Sequence, residues 1–118
     1  MTAIETDDVP IYLKLRAVIA AKILEGRYLE GDQLPSVRAF AADHCVNPLT
    51  IAKAYQCLQD EGFVIVRRGI GMFVAEGALE RLRVKEREEF VERIWPRMLA
   101  HIERLGLSAK DLLNVEPV

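Results

Sequence analysis

From Pro10 onward, apolar residues recur at helical spacing. Ile11, Leu15, Val18, Ile19 and Ile23 fall on one stripe, which predicts an amphipathic helix. Pro10 suits its first turn, Asp8 or a neighbour can cap it, and Gly26 ends it. The next segment, GRYLEGDQLPS, has two glycines, a proline and few apolar residues, and reads as a turn-rich connection. Ser36, behind Pro35, is a natural N-cap for a short helix through about His44, with Val37, Phe40 and Ala41 as its buried face. The pattern breaks at Cys45-Val46-Asn47-Pro48. Asn47 caps a third helix, Pro48 takes its first position, and Ile51, Ala54, Tyr55 and Leu58 line one face until Gly62 stops it. Two helices joined by so short a break form a helix-turn-helix pattern, whose second helix enters the DNA major groove.

The period then shortens. Phe63-Val64-Ile65-Val66 and Met72-Phe73-Val74 read as strands around Arg67-Arg68-Gly69-Ile70-Gly71, a hairpin with a basic, glycine-bearing tip. A basic hairpin beside a helix-turn-helix has the form of a wing. Helical periodicity resumes from about Ala78 to Leu105. It opens with ERLRVKEREE, densely charged with mixed signs. It continues with Phe90, Val91, Ile94, Trp95, Met98, Leu99, Ile102 and Leu105, an apolar stripe wide for a surface helix. Pro96 is expected to kink or divide this helix. Gly106 ends it, and Ser108 caps a last short turn through Asp111-Leu112-Leu113.

Composition changes this picture little. The chain has 118 residues, 51% hydrophobic and 29% charged, enough for one ordinary domain with a core and no need of disulfides or metals. Its net charge of −2 does not point to nucleic acid. Residues 27–71 are neutral: Arg27, Arg38, Lys53, Arg67 and Arg68 stand against Glu30, Asp32, Asp43, Asp60 and Glu61. A DNA-binding reading therefore rests on where particular residues sit.

Two cysteines, Cys45 and Cys57, are too few for a disulfide framework, and His44 beside Cys45 has no further ligands at zinc spacing. Both thiols are expected to be reduced and buried or semi-buried. The opening MTAIETDDVP is acidic and lacks the apolar core of a signal peptide, and no apolar run approaches membrane-spanning length. The expectation is a cytoplasmic protein with no membrane partner. With no nucleophile–base pair, carboxylate pair or metal cluster in view, neither an enzyme nor a cofactor is expected.

Residues Pro10 to Val74 resemble the DNA-binding domain of the GntR family of bacterial regulators. PIYLKLRAVIAAKILEGRYLEGDQLPSVRAFA is similar to that family's first helix, its G-x-Y-x-x-G-x-x-L-P-S turn and its second helix. VNPLTIAKAYQCLQDEGFV is similar to its third helix, with the V-N-P-x-T start and the A-Y-x-x-L-x-x-E-G end, and RRGIGMFV to its wing. The short C-terminal region resembles the YtrA-like subfamily, whose C-terminal helices pair to make dimers.

The resemblance implies a mainly α (α+β) fold. A lead-in at 1–9 precedes a winged helix-turn-helix with a two-stranded wing at 10–76 and C-terminal dimerisation helices at 77–118. It implies a homodimeric regulator, in its simplest form a repressor, on an inverted repeat of double-stranded DNA. The contact surface implied is Ser36, Arg38, Asn47, Pro48, Leu49, Thr50, Lys53, Arg67, Arg68 and Gly69. Arg38 would grip a phosphate or a guanine edge, with a salt bridge to Asp43 as the alternative. Asn47 and Thr50 would bond bases or phosphates, Leu49 pack on a thymine methyl, and Lys53 meet a phosphate. Several members of that family carry an arginine at the position of Pro48 or Ala52, and this chain does not. Arg67, Arg68 and Gly69 would form the wing tip at the minor groove or backbone.

Phe90, Ile94, Trp95, Met98 and Ile102 would form the dimer interface, since one domain leaves them little to cover; folding back on their own domain is the alternative. Two other functional readings stand beside the regulator. One is a ligand-responsive switch with a small-molecule effector between the paired helices near Trp95 and Met98. The other is a protein-interaction winged helix that has lost DNA binding.

Overall fold

Helix α1 (Ile11–Leu24) opens a computed structural model that describes residues 9–115. It turns Leu15, Ile19, Ala20 and Ile23 inward against α3 (Pro48–Asp60), which presents Ile51, Ala54, Tyr55 and Leu58. Helix α2 (Val37–His44) adds Phe40 and Ala41. The inward stripe of α1 is narrower than its apolar pattern predicts: Ile11 and Val18 are exposed, and Ala20 takes an inner place. Val18 lies about 100° around the helix from Ile19, at the margin of a face that three turns already fill.

The caps fall where the local chemistry puts them. The Ser36 hydroxyl accepts the Ala39 N–H at 3.0 Å, and Asn47 Oδ1 accepts the Leu49 N–H at 2.8 Å, with Pro48 in the first turn of α3. Pro10 stands at the N-cap position of α1, one place earlier than expected; Asp8 lies outside the described residues. Helix α3 ends as Gly62 adopts φ +84°, which lets the Phe63 N–H reach back to the Leu58 carbonyl at 2.9 Å.

Helix α2 ends differently. Cys45 itself takes the left-handed conformation at φ 53°, and there it is exposed, contrary to the expected buried thiol; Cys57 is half-buried. A tight turn between two packed helices points its middle residue outward.

Strands β1 (Val64–Arg67) and β2 (Gly71–Val74) pair antiparallel, with Val64 opposite Val74 and Arg67 opposite Gly71. The connection between α1 and α2 proves to be more than turns. Its residues dock on the free edge of β2: Gly31 N–H to Val74 O at 2.9 Å, Val74 N–H to Asp32 O at 2.9 Å, and Leu34 N–H to Met72 O at 2.8 Å. Thus β2 is paired on both edges, and Leu34 joins the core with Phe63, Val64 and Val74.

Two long-range polar contacts hold this frame. Glu61, at the end of α3, accepts from Nε and Nη2 of Arg16 on α1, with Nε–Oε2 at 2.8 Å; the side chains are only 13% and 25% exposed. Replacing Glu61 by Gln should lower the unfolding free energy by about 1–3 kcal/mol, less than for a fully buried pair, because it leaves Arg16 desolvated without its carboxylate. Urea denaturation checks this, with Glu25→Gln at the exposed Arg27 pair as a control expected to change little. Glu30 Oε1 accepts the Gly77 N–H at 2.8 Å, at the start of α4 (Ala78–Glu89). Ala78 and Leu82 are fully buried, so the first turns of α4 belong to the core. Compact packing in this unit runs to Leu82.

The second unit begins at Arg83 and holds the rest of α4, a π-helical turn at Phe90–Ile94, α5 (Trp95–Arg104) and α6 (Ala109–Leu112). The disturbance expected at Pro96 takes the form of that π turn. A proline ring in regular α-helix would strike the carbonyl four residues back, and it has no N–H to offer. The wider turn just before it, with the Trp95 N–H on the Phe90 carbonyl, absorbs the mismatch. Ser108 sits at the N-cap position of α6, but its side chain makes no capping bond. Phe90, Ile94, Trp95 and Met98 are exposed, with the Phe90 and Trp95 rings stacked at 6.4 Å; Ile102 is buried within the chain.

Candidate nucleic-acid interface

The turn after α2 delivers the start of α3 to the surface. Asn47, Pro48, Leu49 and Lys53 are exposed, Leu49 to 77%, while Thr50 is half-buried. Asn47 spends its carbonyl on the cap, and among the described residues its amide donors bind nothing in the chain. The cap therefore leaves the N–H₂ free for an outside acceptor. Ser36 likewise uses its oxygen as an acceptor and keeps its O–H.

Arg38 is exposed in the first turn of α2, on the side away from Phe40 and Ala41. Among the described residues it forms neither the Asp43 salt bridge nor any other ion pair, so its planar fork faces solvent. The local charge balance hides this asymmetry. Asp32, Glu30, Asp60 and Glu61 each hold an internal donor: the Leu29 N–H, the Gly77 N–H, the Gln56 amide and Arg16 respectively. Arg38 and Arg68 are left unpaired among the described residues. Within a neutral stretch, four of the five acids thus hold donors of the chain itself, while Arg38 and Arg68 keep theirs for solvent.

Tyr55 positions this surface. It is buried, and its hydroxyl donates to the Pro35 carbonyl at 2.6 Å, clamping the start of α2 onto α3. Its ring meets Phe40 edge-on at 6.2 Å, and Phe40 stacks on His44 at 4.1 Å. Burial, with Tyr28 close by, pushes the Tyr55 hydroxyl well above the ordinary tyrosine pKa, so it stays a neutral donor. Periodicity alone assigns Tyr55 to the core. The signal for its second role was chemical, since a buried phenol needs a partner.

At the wing, the tip is Arg68, Gly69 and Ile70. Arg67 was expected there, but it is the last residue of β1, opposite Gly71, with its guanidinium over the Phe73 ring at 4.7 Å. The turn closes with the Ile70 N–H on the Arg67 carbonyl at 2.9 Å, so the tip lies one residue later than the expected Arg67–Gly69. Gln33 braces it: its amide donates to the Ile70 carbonyl at 2.9 Å. A Cβ at Gly71 would come within 2.5 Å of that amide nitrogen, so glycine is required for the brace to close. No local pattern marks Gln33, because its partner lies 37 residues away.

Among the described residues no cluster of His, Cys, Asp or Glu is arranged to hold a metal ion. The exposed chemistry is that of hydrogen-bond donors and cations on a helix start and a hairpin tip, suited to an extended polyanion with readable edges.

A family model described as bacterial regulatory proteins, gntR family, matches residues 11–74. The HTH-type transcriptional repressor YtrA of Bacillus subtilis is 39% identical over 69 residues, 58% of this chain and 53% of that one; the chain thus matches about half the length of this relative. A GntR family transcriptional regulator from Listeria monocytogenes superposes with a TM-score of 0.76 at 29% identity, over 93% of this chain and 98% of the other. The DNA-binding domain of AraR in complex with its operator ORR3 superposes with a TM-score of 0.55 at 28% identity, over 57% of this chain and 81% of that one.

Proposed function

The chain belongs to the GntR family of bacterial transcription regulators, and from that premise we propose that it acts as a homodimeric repressor on an inverted-repeat operator. The observation that carries the reading is the outward-facing set of unused donors on Arg38, Asn47 and Arg68. The start of α3 enters the major groove, where Asn47, Leu49 and Thr50 meet base edges and Lys53 meets a phosphate. Arg38 grips a guanine or a phosphate from the start of α2, with Ser36 and Pro48 at the two helix starts beside it. The tip at Arg68 and Gly69 lies against the minor groove or backbone, with Arg67 behind it on β1. The likeness to a domain crystallised on its operator supports this placement, and a relative named as a repressor supports the sense of regulation. Pairing through Phe90, Ile94, Trp95 and Met98 sets two such surfaces on half-sites about one helical turn, or a few, apart. A dimer seated on a promoter excludes polymerase, which is the simplest route to repression.

Fluorescence anisotropy on the protein's own upstream DNA, at two salt concentrations, tests the reading. Binding should weaken steeply with salt, by about one released ion per phosphate contact. Arg38→Ala should cost about 1–3 kcal/mol and flatten sequence preference, whereas Arg68→Ala should weaken all sequences alike. Undetectable or salt-independent binding would overturn the regulator reading and leave the winged helix as a protein-interaction module.

A further inference from the structure

Beside the start of α3 a groove of about 390 Å³ opens to solvent, lined by Ile11, Tyr12, Leu49, Thr50 and Lys53. It joins the first turn of α1 to the helix read as facing DNA. Within it the Lys53 ammonium rests over the face of the Tyr12 ring, 4.8 Å from its centroid. Lys53 is exposed and forms no ion pair among the described residues, and Tyr12 is half-buried, so the ring is the steadier of the two.

This arrangement has a consequence for binding. A lysine on the surface samples many rotamers, and a contact that uses it must freeze them. A ring beneath the ammonium removes much of that freedom beforehand, while the ammonium donors not turned to the ring stay available to an anion. The groove's other walls are the apolar Ile11 and Leu49 and the Thr50 hydroxyl. An anion flanked by a compact apolar body fits them, as a backbone phosphate with its deoxyribose does.

We propose that Tyr12 is a positioning residue for DNA binding: its ring holds Lys53 at a groove that seats one backbone phosphate and the adjoining sugar. The proposal rests on α3 being the DNA-facing helix.

The test is a double-mutant cycle read by anisotropy on duplex DNA from the protein's own upstream region, with urea midpoints recorded in parallel. Tyr12→Leu should weaken binding roughly two- to five-fold, the range of an exposed cation–π contact, and Tyr12→Phe should match the parent because it keeps the ring. Lys53→Gln should weaken binding further and lower the salt slope by about one ion. On the Lys53→Gln background, adding Tyr12→Leu should change nothing more. The proposal is overturned if Tyr12→Leu costs the same affinity with or without Lys53, if Tyr12→Phe behaves like Tyr12→Leu, or if Tyr12→Leu tightens binding. A parent protein that binds no duplex removes the regulator reading and this one together. A parent that binds, with Lys53→Gln neutral, removes this one alone.

Discussion

Replacing Met98 by aspartate should give a folded protein that runs as a monomer and binds its full operator at least a hundredfold more weakly. Met98 is 44% exposed in α5, alongside Ile94 and Trp95 on the unpartnered face of the second unit. In one chain an aspartate there meets water and costs little. At an apolar seam between two copies it must be desolvated without a partner, which dissociates them. The loss on DNA follows from linkage. When two reading surfaces are tied together, the second half-site is engaged at a high effective concentration, worth about 10²–10⁴ in overall affinity. Light scattering reports the mass, and titration of an isolated half-site should show little change. Ile102 provides the contrast. It is only 9% exposed within its own chain, so Ile102→Asp should unfold the second unit rather than merely separate the paired copies. A Met98→Asp protein with the same mass in solution as the parent would overturn the proposed pairing through this face.

Alkaline pH should destabilise the domain through Tyr55. Its pKa is raised in the folded state, mainly by burial and secondarily by Tyr28, while the unfolded chain titrates near 10. Above about pH 10 the unfolded state sheds a proton that the folded state keeps. The stabilisation is therefore complete below pH 10 and is lost as pH rises toward the folded pKa, by about 1.4 kcal/mol per unit. Tyr28 is raised in the same direction by burial and adds to the trend. Tyr55→Phe separates the two. At pH 7 it should cost about 1 kcal/mol, for the bond to the Pro35 carbonyl. By about pH 12 it should be the more stable protein, with the two curves crossing near pH 11. Urea midpoints across that range decide it; parallel curves would show that Tyr55 does not control the alkaline limb.

What could be read from the amino-acid order was whatever depends on neighbours. Ser36, Asn47 and Pro48 announce helix starts because a cap acts within a few residues, and Gly62 announces a stop for the same reason. The core faces of α2 and α3 follow from period alone. What escaped was contact at long range. The Arg16–Glu61 pair spans 45 residues and the Gln33 brace 37, and nothing near either residue names its partner. The segment around Gln33 looked like pure connection, because its backbone bonds go to β2 rather than to itself. For the contact surface, residue types and helix starts were legible. The shift of the tip by one residue, from Arg67–Gly69 to Arg68–Ile70, depends on strand register, which a five-residue RRGIG stretch leaves open. Tyr12 carried no mark at all, since its importance lies in a helix that arrives beside it only on folding.

The π turn has a bearing on symmetry. In an unbroken α-helix, residues five apart lie about 140° around the axis and do not meet. Here Phe90 and Trp95 stack, because the turn inserts an extra step into the phase of the helix. For two copies that pair through this stretch, a helix with such a phase jump matches its mate best where the mate jumps too. The interruption then works as a register mark, holding the two copies to one longitudinal alignment instead of letting them slip by a turn. Under the proposed pairing, the register that the two copies share would be written by Pro96, through the turn it imposes on the helix before it.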